Sequence, residues 1–152
     1  MSRIRMTRRI VSAVAVYGIV AGAVLGGAGA ASATNPADAP PGYAGPFSYC
    51  KGNEHDSIPL GDPDGAAYIA VWRSTEGSGT FCAMTFDRRD GRHHMEVRVR
   101  RDGWQTSWYD NGYYDRYAGA IYVSGAEIYC AYISGWVELN GIKYSGGDWV
   151  CS

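Results

Sequence analysis

The sequence predicts an all-β fold, a small disulfide-bonded antiparallel sandwich or barrel of about seven or eight short strands. Three observations carry that expectation. Turn signals recur throughout the body of the chain, short β-branched and aromatic runs lie between them, and no window there has the apolar spacing of an amphipathic helix. No repeat of fixed period is present, which argues against a solenoid or propeller.

Residues 1–33 have the parts of a secretory signal peptide. Arg3, Arg5, Arg8 and Arg9 form a basic start without acids, Ile10 to Ala31 is apolar or small, and Ala31-Ser32-Ala33 is a small-x-small site. The apolar run is long enough to cross a bilayer, so an uncleaved anchor is the competing reading. Cleavage after Ala33 is expected, because small residues crowd the end of the run and no basic stop-transfer cluster follows. Residues 34–46 (TNPADAPPGYAGP) are rich in Pro, Ala and Gly and read as a flexible leader with no packing role. Residues 47–152 are then a single β domain.

Removing residues 1–33 from 152 leaves 119, enough for one small domain. Four of the 14 basic residues leave with the signal and all 15 acids stay, so the formal charge moves from −1 to −5. A net acidic domain is a poor general binder of nucleic acid, whose phosphates call for an excess of Lys and Arg. No nucleic acid is expected as a partner, and no membrane once the signal is removed.

Asp62-Pro-Asp-Gly65 is a turn, and Ala66 to Trp72 follows as a nearly continuous apolar strand. Glu76-Gly-Ser-Gly79 turns the chain into a strand from Thr80 to Phe86, with Cys82, Met84 and Phe86 on one face. After Arg89-Asp-Gly91, His94 to Arg100 alternates plainly: Met95, Val97 and Val99 face one way and Glu96, Arg98 and Arg100 the other. Asp102-Gly103 ends that strand, and Trp104 to Tyr109 leads to a turn at Asp110-Asn-Gly112. Ile121 and Val123 alternate with Tyr122, and Ile128 and Cys130 with Tyr129, so Ser124-Gly125 reads as the turn of a central hairpin. A two-residue loop there puts Ile121 opposite Ile128 and Glu127 on the face of Tyr122; a three-residue loop swaps these faces. A second hairpin is expected around Asn140-Gly141, between Trp136 to Leu139 and Ile142 to Tyr144.

Cys50, Cys82, Cys130 and Cys151 are an even set in a chain read as exported, which implies two disulfides with three possible connectivities. Pairing nearest neighbours, Cys50 with Cys82 and Cys130 with Cys151, closes moderate loops and ties each terminal segment to an interior strand. The wide spacing excludes a Cys-x-x-Cys metal site, and no cysteine has the surroundings of a nucleophile.

The chain resembles the spore-associated protein A family, small exported proteins of filamentous sporulating bacteria. The resemblance runs from Tyr49-Cys50 to Cys151. It rests on the strand Ala66 to Trp72, on Gly79-Thr-Phe-Cys82 leading into Met84-Thr85, on Gly112-Tyr-Tyr-Asp-Arg-Tyr-Ala-Gly119 before Val123-Ser124, and on the order and spacing of the cysteines. Ala120 stands where such proteins tend to have Pro, and the Arg-rich segment Arg88 to Arg101 departs from the family. The resemblance implies association with spore or cell-surface components and transfers no catalytic residue.

Residues that can carry chemistry are few. Glu96, Arg98 and a histidine could serve a ribonuclease-like hydrolase as base, phosphate clamp and acid. Against this, such enzymes pack a helix on their sheet, and His55, His93 and His94 are expected on the wrong strand parity or in loops. Adjacent His93 and His94 point to opposite faces of a strand and do not share one metal ion. No metal, cofactor or catalytic residue is therefore expected. Eleven Tyr, five Trp and three Phe remain beyond Tyr17, more than one core needs. Tyr114, Tyr122 and Tyr129 are the candidate binding face. The expected function is a secreted, non-enzymatic spore- or cell-surface-associated protein. A lectin-like module, or a hydrolase inhibitor presenting Glu54 to Pro63 as a rigid loop, is the first alternative, and the hydrolase the second.

Overall fold

The computed structural model describes Asp38, Pro40, Pro41 and residues 48–152. The expected signal peptide and most of the leader lie outside the described residues. Eight strands follow one another: β1 (Asn53–Pro59), β2 (Ala67–Ser74), β3 (Thr80–Asp87), β4 (His93–Arg101), β5 (Trp108–Tyr114), β6 (Tyr117–Ser124), β7 (Ala131–Leu139) and β8 (Ile142–Val150). They form two four-stranded antiparallel sheets in the orders β1-β2-β3-β6 and β5-β4-β7-β8, packed as a sandwich.

The alternation of β4 sets the second sheet. Met95, Val97 and Val99 are fully buried and meet Ile69, Val71, Phe81, Ile121 and Val123 of the first sheet, with Ile133 and Val137 of β7 beside them. Burying a Val or Ile side chain contributes about 1.5–3 kcal/mol, so this layer is the main source of stability. Thr85 is the one polar side chain of β3 that reaches across at mid-sheet. Its hydroxyl donates to the Glu96 carbonyl at 2.8 Å, beside Gly135.

The first sheet is apolar on its outer face too, which explains the unbroken run of β2. Cys82, Met84, Ala120 and Tyr122 form a second buried cluster with Cys50, Trp72 and Phe86 against it. The Cys50–Cys82 disulfide pins residues 48–52 to this face, and Cys130–Cys151 ties the end of β8 to the connection between β6 and β7. The nearest-neighbour pairing expected from the chain is the one formed. Two such bonds suit an oxidising, extracellular environment. Among the described residues no helix is long and apolar enough to cross a membrane.

Asn140-Gly141 turns β7 into β8 with φ of 52° and 79°, the paired left-handed geometry that this dipeptide favours. Other expectations are corrected. Ser124-Gly125 is no hairpin turn: β6 pairs with β3, and the chain crosses to the other sheet before β7 begins at Ala131. Ile128 is therefore not opposite Ile121, and it stands 75% exposed. Asp110-Asn-Gly112 lies inside β5, because the buried Asp110 carboxylate takes the Tyr114 hydroxyl at 2.6 Å and the Gly119 amide at 2.8 Å. Glu54 to Pro59 belongs to the edge strand β1 rather than to a protruding loop. The leader has a packing role as well. Asp38 is buried and accepts from the Ser124 hydroxyl at 2.6 Å, and Pro41 approaches Gly77.

The turn at Asp62 carries a pH dependence. Burial works to raise the Asp62 carboxyl, but hydrogen bonds from Arg89 and from the Ala66 and Ala67 amides outweigh it and hold it below the usual carboxylate range. Arg89 also holds Asp87 at 2.9 Å. A depressed carboxyl stabilises the fold fully above about pH 4 and loses that contribution as pH falls through its folded value. Asp62→Asn is expected to cost about 2 kcal/mol at pH 7, with the gap to the parent narrowing in urea melts as pH falls below about 4. A gap that stays constant from pH 7 to 2.5 would contradict this origin.

Candidate functional site

The same period that buries Met95, Val97 and Val99 turns His94, Glu96, Arg98 and Arg100 outward, and the cross-strand register extends that set over four strands. His94 lies between Tyr113 and Glu138, Glu96 between Asn111 and Trp136, Arg98 between Tyr109 and Ser134, and Arg100 beside Tyr132. On β8, Lys143, Ser145, Gly147 and Trp149 complete the rows. The outer face of the second sheet is thus a grid of aromatic and polar side chains. No residue other than glycine fits at position 147 without movement, since a Cβ there would lie 2.9 Å from both the Ser134 Cβ and the Tyr132 hydroxyl.

The grid is ordered by its own contacts. The Glu96 carboxylate accepts from Arg98 Nε at 2.9 Å on one oxygen and from Asn111 Nδ2 at 2.9 Å on the other. Asn111 Oδ1 lies 2.9 Å from His94 Nε2, and Arg98 Nη1 donates to Ser107 Oγ at 3.2 Å. The His94 ring stacks on Tyr113 at 4.6 Å and meets Trp136 edge-on at 4.8 Å. Arg98 lies over Tyr109, Lys143 over Trp136 and Arg100 near Trp149, the ordinary geometry of cations on aromatic faces. Tyr109, Tyr113 and Trp149 are exposed, while Tyr132 and Trp136 are half-buried.

The expected binding face of Tyr114, Tyr122 and Tyr129 is not formed. Tyr122 is fully buried on the first sheet, its hydroxyl donating to the Tyr49 carbonyl at 2.9 Å and accepting from the Lys51 amide at 2.9 Å. Tyr114 turns inward to Asp110, and burial, that hydrogen bond and the Asp110 charge push its hydroxyl well above the usual tyrosine range. Tyr129 is exposed under Arg101, on the connection between sheets. Three tyrosines close in sequence are separated because the chain changes sheet between them.

The hydrolase candidates are partly brought together. His94 shares the parity of Glu96 and Arg98, contrary to expectation, whereas His93 points the other way, its Nδ1 2.6 Å from Asp87 Oδ2. His55 lies on β1, 3.0 Å from the Cys151 carbonyl. Burial works to raise the Glu96 carboxyl, but the hydrogen bonds from Arg98 and Asn111 and the charges of Arg98 and Lys143 hold it below the usual range. Both its oxygens are engaged, which makes it a poor proton acceptor and a good fixed acceptor for a ligand donor. Among the described residues no group of three His, Cys, Asp or Glu side chains can hold a metal ion.

Sequence reading missed Tyr109, Tyr113, Tyr132, Trp136 and Trp149 as a set. A signal was present in Tyr132-Ile-Ser-Gly-Trp-Val-Glu138, which alternates outward and inward as β4 does. Comparison with protein-family models, curated proteins and solved structures found no match for this chain.

Proposed function

We propose that the protein is a secreted, non-enzymatic domain held at the spore or cell surface by binding surface glycans on the outer face of its second sheet. One observation carries the reading. Five aromatic rings stand among polar groups that are already hydrogen-bonded to one another, on a sheet whose other face is the core. Rigid amphipathic rings offer contact area at little entropic cost, and a pre-ordered polar grid loses little freedom when it binds hydroxyls. Secretion through the residue 1–33 segment and the resemblance to spore-associated protein A agree with such a place of work.

The test is retention of residues 34–152 on insoluble peptidoglycan, chitin and cellulose. Trp149→Ala and Trp136→Ala are each expected to weaken retention about 10-fold or more, since anchoring aromatics contribute roughly 2 kcal/mol or more at an interface. Tyr129→Ala is expected to bind as the parent does. The reverse pattern would move the site to the connection between sheets and overturn the reading.

The ribonuclease-like alternative has in its favour the convergence of His94, Glu96 and Arg98 on one face. Against it stands a Glu96 carboxylate with both oxygens occupied. Cleavage of RNA by the purified protein, lost in a folded Glu96→Gln variant, would decide for the enzyme.

A further inference from the structure

The cations on the grid are unevenly balanced. Glu96 is neutralised by Arg98, and at the far end Glu138 lies across from Lys143. Arg100 is exposed and, among the described residues, has no carboxylate within ion-pair distance; its guanidinium lies 5.8 Å from the Trp149 ring centre. It borders a depression of about 280 Å³ lined by Arg98, Arg100, Gln105, Ser107, Tyr132 and Ser134. That volume is at the small end of ligand sites, the scale of one sugar ring rather than a chain. Arg98 reaches the same depression with Nε and Nη1 already committed to Glu96 and Ser107, so its position is fixed before a ligand arrives.

We propose that this depression takes the anionic group of an acidic saccharide, a carboxylate or a phosphate, against Arg100 with Arg98 behind it. The inference rests on the glycan reading of this face and adds the class of sugar. Two guanidinium groups with hydroxyl and amide donors from Ser107, Ser134 and Gln105 match one anionic group and its neighbouring hydroxyls. Tyr132 lines the depression and Trp149 packs on it, 5.5 Å away between ring centres, so the sugar ring would lie against Tyr132. The local charge is opposite to the net −5 of residues 34–152. A long polyanion is therefore repelled by the rest of the molecule, while a short oligomer with a few anionic groups is repelled less.

The experiment is titration calorimetry of residues 34–152 with trigalacturonic acid, its methyl ester and a glycerol-phosphate oligomer. The acid is expected to bind at least about 10-fold more tightly than the ester, as charge-assisted hydrogen bonds imply, and the preference to weaken with salt. Arg100→Gln is expected to erase the preference, bringing acid and ester within about twofold, and Arg100→Lys to restore part of it. Preference for the glycerol-phosphate oligomer instead, equally lost in Arg100→Gln, assigns the anion as phosphate. Binding of the ester as tight as the acid, or a preference that survives in Arg100→Gln, overturns the proposal while leaving the glycan reading intact. If neither these ligands nor the insoluble polysaccharides bind, both readings fall together.

Discussion

Gly135→Ala is expected to cost the fold about 3 kcal/mol. A Cβ at this position would lie 2.4 Å from Thr85 Oγ1, 2.6 Å from the Glu96 carbonyl oxygen and 3.2 Å from Ile69 Cγ1. Two of these neighbours belong to the cross-sheet hydrogen bond, and the carbonyl is ladder backbone between β4 and β7 that cannot step aside without breaking pairs. Overpacking in a filled core costs roughly 1–3 kcal/mol, and losing the buried hydrogen bond adds about 1 kcal/mol. The double variant Thr85→Ala, Gly135→Ala should recover only part of the loss, because the Glu96 carbonyl still obstructs the new methyl. Chemical denaturation measures both. A Gly135→Ala midpoint equal to the parent's would mean that the two sheets lie further apart than described.

Removing the Cys50–Cys82 bond by paired replacement with alanine is expected to cost about 3 kcal/mol. The bond closes a loop of 32 positions, and its loss frees the chain entropy of the unfolded state accordingly. Its place in the fold adds to this. Cys82 is buried with Met84, Ala120 and Tyr122, and the segment it retains supplies the Tyr49 and Lys51 backbone groups that satisfy the Tyr122 hydroxyl. Once that segment lifts away, water reaches an apolar outer face. The variant should gain binding of a hydrophobic dye along with its lower melting temperature. The matching change at Cys130 and Cys151 should lower stability with less dye binding, since its loop of 21 positions ties down an exposed end. Equal dye binding by the two variants would refute this assignment of roles.

The parts of the fold legible in the sequence are those governed by local rules. The alternation in β4, the Asn140-Gly141 turn and the pairing of neighbouring cysteines each need only a few adjacent residues. Other features depended on partners distant in the chain. β1 reads Asn-Glu-His-Asp-Ser because it is an exposed edge with no apolar period to find. Asp110 looks like a turn residue until Gly119 and Tyr114 supply its bonds. The stretch around Ser124-Gly125 has the residues of a hairpin turn, yet the hydrophobic segments on either side belong to different sheets, and four residues of alternation before Cys130 do not reveal that Ile128 faces water. The outer grid of the second sheet was half visible for the same reason. The alternation of β4 shows Glu96, Arg98 and Arg100 as one outward set, but the aromatic rings between them come from β5, β7 and β8 and join only through the register.

Glycan binding on the outer face of the second sheet is tested most directly by a nitrogen–proton correlation spectrum of isotope-labelled residues 34–152, recorded while a soluble peptidoglycan fragment is titrated in. Shift changes are expected at the indole N–H of Trp136 and Trp149, at the Asn111 amide and at the backbone of β4, β5, β7 and β8, with β1, β2 and β3 unmoved. Changes centred on the first sheet or on the Tyr129 connection, with both indoles unshifted, would contradict it.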